Sequence, residues 1–201
     1  MSKPATLTIV RHGETEWSAA HRHTGRTDIP LTAAGRDQAR AAAGPLAATT
    51  PVLVLSSPLQ RALNTGQLAG LGERIETDPD LVEWDYGAYE GLTTEEIHEK
   101  APDWQLFRDG CPQGESTEQV GARADRVVAR LRDAGGDALV FSHGHFSRVL
   151  AARWLGLPVE VGRCLALSTA AICTLGYEHG VDDPVVLHWN DTGHLPRSGA
   201  S

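Results

Sequence analysis

Lysine is almost missing from this 201-residue chain; only Lys3 and Lys100 occur. The positive charge is therefore arginine. Its 18 basic side chains face 26 acidic ones, for a formal net charge of -8. That balance disfavours nucleic acid and anionic membrane as main partners, since both call for a basic face. A small anionic substrate stays open, because a pocket can be basic on an acidic protein. Cysteine is also scarce: Cys111, Cys164 and Cys173 contain no CxxC pair. Neither a disulfide framework nor a zinc ribbon is expected, and no metal site follows. The three read as buried small apolar residues, and their scarcity points to a reducing, cytoplasmic compartment. No apolar run approaches the roughly 18 residues of a membrane span. The first eight residues show no secretory pattern. The length suits one domain over 1–201, with 193–201 expected to fray.

Apolar patterning divides the rest into alternating elements. Short buried-type strands are expected at Leu7–Val10, Val52–Leu55 and Asp137–Phe141, with another within Glu73–Pro79. Thr32 is placed to cap a helix running to about Leu46. Helical spacing covers Leu59 to Leu68, Thr93 to Lys100 and Phe146 to Leu155. A capping box at Ser116–Gln119 opens a further helix, with Val120, Ala124, Val127 and Leu131 on one face. Two last strands are expected in Ala170–Tyr177 and Val185–Trp189. This alternation predicts an α/β fold, a three-layer αβα sandwich around a mostly parallel sheet. Such sheets bind ligands beyond the C-terminal ends of their strands.

The residues at those ends carry the functional signal. They are Arg11-His12-Gly13, Ser56-Ser57-Pro58 with Arg61 close behind, and Ser142-His143-Gly144. Two arginines suit a phosphate held by forked hydrogen bonds. Two histidines suggest a nucleophile and a protonated partner that neutralises charge during phosphoryl transfer. The leaving oxygen needs a proton. Glu83, in the aromatic loop Leu81–Tyr86, is the candidate acid, with aromatic walls expected to keep its carboxyl protonated. Asp85 and Glu90 compete for that role. His21 and His23 read as solvated loop residues and Asp78 and Asp80 as turn formers.

These residues sit in blocks that resemble the histidine phosphatase superfamily, the phosphoglycerate mutase-like proteins. The blocks are LTIVRHGETEWSAAHRHTGRTDIPL at 7–31, SSPLQRALNTG at 56–66, LVEWDYGAYEGLT at 81–93, PQGES at 112–116 and SHGHFSR at 142–148. The resemblance implies a phosphoglycerate mutase-like fold. It implies His12 as the phosphorylated nucleophile, Arg11, Arg61 and His143 as the phosphate pocket, and Glu83 as proton donor. It implies no cofactor and no metal, and it allows a homodimer. Ser18 stands where the family often has Asn. Thr24 and Gly25 fall where relatives approach the phosphate or substrate. Tyr86, Trp104, Phe107 and His145 are the candidate walls that select the leaving group.

Three readings follow. The first is a phosphatase for small phosphorylated metabolites. EWDYGAYEG at 83–91, RDGC at 108–111 and HGH at 143–145 are similar to the sedoheptulose-1,7-bisphosphatase branch, and equally to actinobacterial broad-range acid phosphatases. The second is a 2,3-bisphosphoglycerate-dependent mutase. Against it, Arg108 stands alone where mutases carry paired arginines, and Thr93-Thr94 replaces their lysine. The third is a non-catalytic phosphate-binding protein.

Overall fold

The computed structural model describes residues 5–196, so 197–201 of the tail lie outside it. Within the described residues six strands form one sheet: β1 Leu7–Arg11, β2 Leu53–Ser56, β3 Ile75–Thr77, β4 Ala138–Ser142, β5 Ile172–Tyr177 and β6 Pro184–Asp191. Their order is β3-β2-β4-β1-β5-β6. The first four run parallel, while β5 pairs antiparallel with β1 and β6 with β5. The turn between β5 and β6 is too short for a parallel crossover, so this edge is a hairpin.

Among the described residues eight α-helices accompany the sheet: α1 Glu16–Ala19, α2 Ala33–Ala41, α3 Ala43–Leu46, α4 Gln60–Gly66, α5 Thr94–His98, α6 Leu106–Asp109, α7 Thr117–Asp133 and α8 Gly144–Trp154. Thr32 caps α2 as expected, accepting the Gly35 N–H at 3.0 Å. The single helix expected from Thr32 to Leu46 is instead two. Pro45 has no N–H to donate to the Ala41 carbonyl, and its ring crowds that turn. The helix after Leu59 is α at first, then widens into a π turn at Gln67–Leu71, where Gly70 takes a φ of 84°. Ser116 and Gln119 form the expected capping box on α7.

Strand alternation divides the core into two layers. Leu7 and Ile9 pack with Val127, Leu131, Phe146 and Leu150 from α7 and α8. Val10, Val54, Leu139 and Phe141 pack on the other face with Ala42, Leu46 and Ala69. The three-layer αβα expectation holds. Register brings the three functional strand ends level. Arg11 pairs with Ser142 and Ser56 with Phe141. The His12 N–H then donates to the Ser142 carbonyl, and the Ser57 N–H to that of Phe141, each at 2.9 Å. Among the described residues no helix is long and apolar enough to cross a membrane.

Candidate active site

The cavity at these strand ends has a volume of about 270 Å³, and Arg11, His12 and Glu83 lie in its wall. His12 is 4 % exposed. Its Nδ1 lies 2.7 Å from the Gly13 carbonyl, which can only accept, so Nδ1 carries the proton. Burial, then the charges of Arg61 and Arg11, hold the His12 pKa well below 6.5. The ring is thus neutral, with its lone pair on Nε2. The Gly13 peptide is itself anchored, its N–H donating to Thr65 Oγ1 at 3.0 Å. A Cβ on Gly13 would lie 2.3 Å from the Gly35 carbonyl oxygen, so only glycine fits there. Arg11 donates from Nη1 to the Leu167 carbonyl at 2.5 Å, and its Nε is buried with no partner among the described residues.

Arg61 and His143 are fully buried and do not line the cavity. Arg61 Nε donates to His143 Nδ1 at 3.1 Å. Its other nitrogens donate to the carbonyls of Thr24, Gly25 and Thr27. Most of the fork expected for phosphate is therefore spent on protein. Burial, then Arg61, push the His143 pKa well below 6.5. The second histidine is neutral here, not protonated as expected, because an arginine N–H occupies its Nδ1. Its Nε2 lies 2.8 Å from Ser57 Oγ, and its ring centroid 5.3 Å from that of His12.

Glu83 is the cavity's carboxylate, 4 % exposed. The expected aromatic box is instead a cradle of amides. The N–H groups of Trp84 and Phe146 donate to Oε1 at 2.9 and 2.7 Å, and that of His145 to Oε2 at 3.0 Å. Two of these donors belong to the first turn of α8, where unpaired N–H groups favour an anion. The segment is clamped from behind. Arg123 donates to the carbonyls of Asp80, Val82 and Glu83 and pairs with Glu115 at 2.7 Å. The competing carboxylates are committed elsewhere. Asp85 accepts the Gly87 N–H, and Glu90 accepts those of Gly25 and Thr27. Asp78 caps its turn as expected, accepting the Asp80 N–H.

Ser18, Thr24, Tyr86 and His145 line the cavity, whereas Gly25, Trp104 and Phe107 do not. Ser18 Oγ is engaged by Thr15, accepting its N–H and donating to its carbonyl. Trp104 and Phe107 back the wall. Their rings meet His23 and His145 edge-on at 5.7 and 5.5 Å. Tyr86 OH lies 2.6 Å from His145 Nδ1, and burial followed by Arg148 keeps His145 well below its ordinary pKa.

Three placements depart from the sequence reading. His23 is 9 % exposed and not solvated, stacking on His145 at 5.9 Å. Its loop folds back on the segment after Glu90, and Leu92 O accepts both its N–H and its Nδ1. His21 is exposed as expected and also lines the cavity. Cys164 is exposed, while Cys111 and Cys173 are buried as expected, their thiols pushed up to about 12 and about 11 by burial. Arg148 lines the cavity unforeseen. Helical spacing was the available signal, since Arg148 lies four residues after Gly144 and three after His145, on one face of α8.

Comparison with known proteins agrees with this geometry. A family model described as histidine phosphatase superfamily (branch 1) matches residues 7–192. An acid phosphatase of Mycobacterium tuberculosis is 48 % identical over 193 residues, covering 94 % of this chain and 93 % of that one. A sedoheptulose 1,7-bisphosphatase of Saccharomyces cerevisiae is 38 % identical over 184 residues, covering 76 % and 68 %. The solved structure of an open reading frame product from Mycobacterium tuberculosis superposes with a TM-score of 0.89 at 45 % identity, covering 94 % and 99 %.

Proposed function

Because this chain belongs to the histidine phosphatase superfamily, branch 1, we propose that it hydrolyses small phosphomonoesters through a phosphohistidine on His12. It is a phosphatase of phosphorylated metabolites. The observation that carries the mechanism is the Nδ1 bond of His12 to the Gly13 carbonyl at 2.7 Å. It fixes the tautomer that leaves Nε2 free to attack.

The Nε2 lone pair forms a bond to phosphorus as the ester P–O bond breaks. Glu83, a carboxylate in its amide cradle, takes up a proton with the substrate and passes it to the leaving oxygen. The charge arising on the imidazole is stabilised by the carbonyl already bonded to Nδ1. Arg11, with a buried Nε lacking a partner among the described residues, offers donors to the phosphoryl oxygens. A water then attacks phosphorus, Glu83 takes its proton, the P–N bond breaks and inorganic phosphate departs. No step calls for a metal.

Hydrolysis is favoured over transfer. Arg108 is exposed and paired with Asp109 at 2.7 Å, and Thr94 stands in the cavity wall where a cation would hold a second phosphate. The free thiols accord with a reducing, cytoplasmic setting. The test is phosphate release from an aryl phosphate in EDTA. Wild type should turn over, and His12→Ala should fall at least a thousandfold. A His12→Ala chain with wild-type turnover would exclude this function.

A further inference from the structure

The segment 165–171, which leads into β5 without helix or strand, touches two site residues through its backbone. The Leu167 carbonyl accepts from Arg11 Nη1 at 2.5 Å, and the Ala170 N–H donates to the His12 carbonyl at 3.0 Å. Ala170 is fully buried with a φ of 55°, a left-handed conformation that is costly for a residue with a Cβ. Such a conformation persists only where its surroundings over-determine it.

Side chains of β6 supply restraint. Trp189 Nε1 donates to the Ala166 carbonyl at 2.6 Å, and the Ser168 N–H donates to Asn190 Oδ1 at 2.7 Å. A backbone N–H can only donate, so the amide oxygen of Asn190 and not its nitrogen faces Ser168. Asn190 has a φ of 57°, which asparagine tolerates better than most residues. Its own N–H donates to Cys173 Sγ at 3.3 Å and ties this end of β6 to β5.

The Leu167 carbonyl and the Ser168 N–H are the two ends of one planar peptide. Two hydrogen bonds in series therefore run from Arg11 through that peptide to Asn190. Asn190 sets the plane in which the carbonyl meets the guanidinium, and bonds in such a chain polarise one another. Among the described residues the Leu167 carbonyl is the one acceptor of the Arg11 side chain, whose Nε is buried without a partner. Asn190 does not line the cavity. Resting on the phosphatase reading of this site, we propose that Asn190 is a positioning residue for Arg11. It acts through the Leu167–Ser168 peptide and aims the guanidinium at the transferred phosphoryl group from outside the cavity.

Two substitutions separate this role from general support of the fold. Asn190→Gly suits the positive φ but has no acceptor, whereas Asn190→Asp keeps an oxygen in place. On an aryl phosphate, Asn190→Gly should lower kcat/KM about tenfold, mostly in kcat. Asn190→Asp should stay within about twofold of wild type. In an Arg11→Met background, adding Asn190→Gly should change kcat/KM by less than about twofold, because the group it positions is gone. The Arg11 Nε–H signal in nitrogen NMR, assigned by its loss in Arg11→Met, should shift in Asn190→Gly and return in Asn190→Asp. Wild-type kcat/KM in Asn190→Gly, an equal loss in Asn190→Asp, an undiminished loss in the Arg11→Met background or an unmoved Nε–H signal would each overturn the proposal. A wild-type chain that releases no phosphate from any ester would instead overturn the phosphatase reading. The Arg11 Nε–H signal in the same variants would still decide the role of Asn190.

Discussion

Arg61 Nε donates its hydrogen to His143 Nδ1 at 3.1 Å, and this bond fixes the state of both residues. The imidazole must accept, so its remaining proton sits on Nε2, toward Ser57. The guanidinium is turned so that its other nitrogens meet the carbonyls of Thr24, Gly25 and Thr27. One buried arginine thereby orients the second histidine and shapes the loop whose Thr24 lines the cavity.

Replacing Arg61 by Met should therefore cost both stability and activity. Three carbonyls and an imidazole nitrogen lose a donor, worth about 3 kcal/mol in all. Thermal melts should drop by roughly 6–12 °C at this chain length. Turnover should fall at least a hundredfold. Arg61→Lys should not restore it, because an ammonium cannot reach these acceptors as a planar fork.

Thr65 acts through the Gly13 peptide, accepting its N–H at 3.0 Å and donating to the Arg61 carbonyl at 2.7 Å. Thr65→Val should loosen the carbonyl that holds the His12 tautomer. We expect kcat to fall about tenfold with KM little changed, and Thr65→Ser to recover it. Steady-state kinetics on an aryl phosphate, with nitrogen NMR of the His12 ring, separate tautomer loss from general destabilisation.

Acid should weaken the fold. His12, His143 and His145 are each held well below 6.5, first by burial. Between those depressed values and 6.5 the unfolded chain binds more protons than the native one. Stability is then fully present above 6.5 and is lost as pH falls, by up to about 1.4 kcal/mol per group per pH unit. Melts in phosphate-free buffer should decline steadily from pH 7 to 5. A melting temperature that held or rose over that range would contradict the neutral assignment. For the same reason the acidic limb of kcat/KM should lie below the ordinary histidine range.

Arg123 holds the Glu83 segment without touching the cavity. Its side chain is 6 % exposed and that of its partner Glu115 14 % exposed. Arg123→Met would strand a buried carboxylate and free three carbonyls, costing about 3–5 kcal/mol. Turnover should fall as Glu83 leaves its amide cradle. Glu115→Gln, which keeps the shape and some hydrogen bonding, should cost less on both measures.

The strand ends were readable because short apolar runs stop at Arg11, Ser56 and Ser142, and parallel pairing then brings those ends level. The helix caps at Thr32 and Ser116 were readable for an equally local reason. What sequence spacing did not convey was long-range and polar. His23 is buried because its loop pairs with Leu92, 69 residues away. Arg61 turns from phosphate to protein because three distant carbonyls surround it. Glu83 meets amides of α8 that no local pattern ties to it. Pro45 is the opposite case, a local signal that should have split the first long helix.

Rapid quenching of the wild-type chain with a phosphorus-32-labelled substrate bears hardest on this mechanism. An acid-labile, base-stable label on His12 Nε2, appearing and decaying as fast as phosphate is released and absent from His12→Ala, is the predicted result. Steady phosphate release with no label on His12 at any time would contradict it.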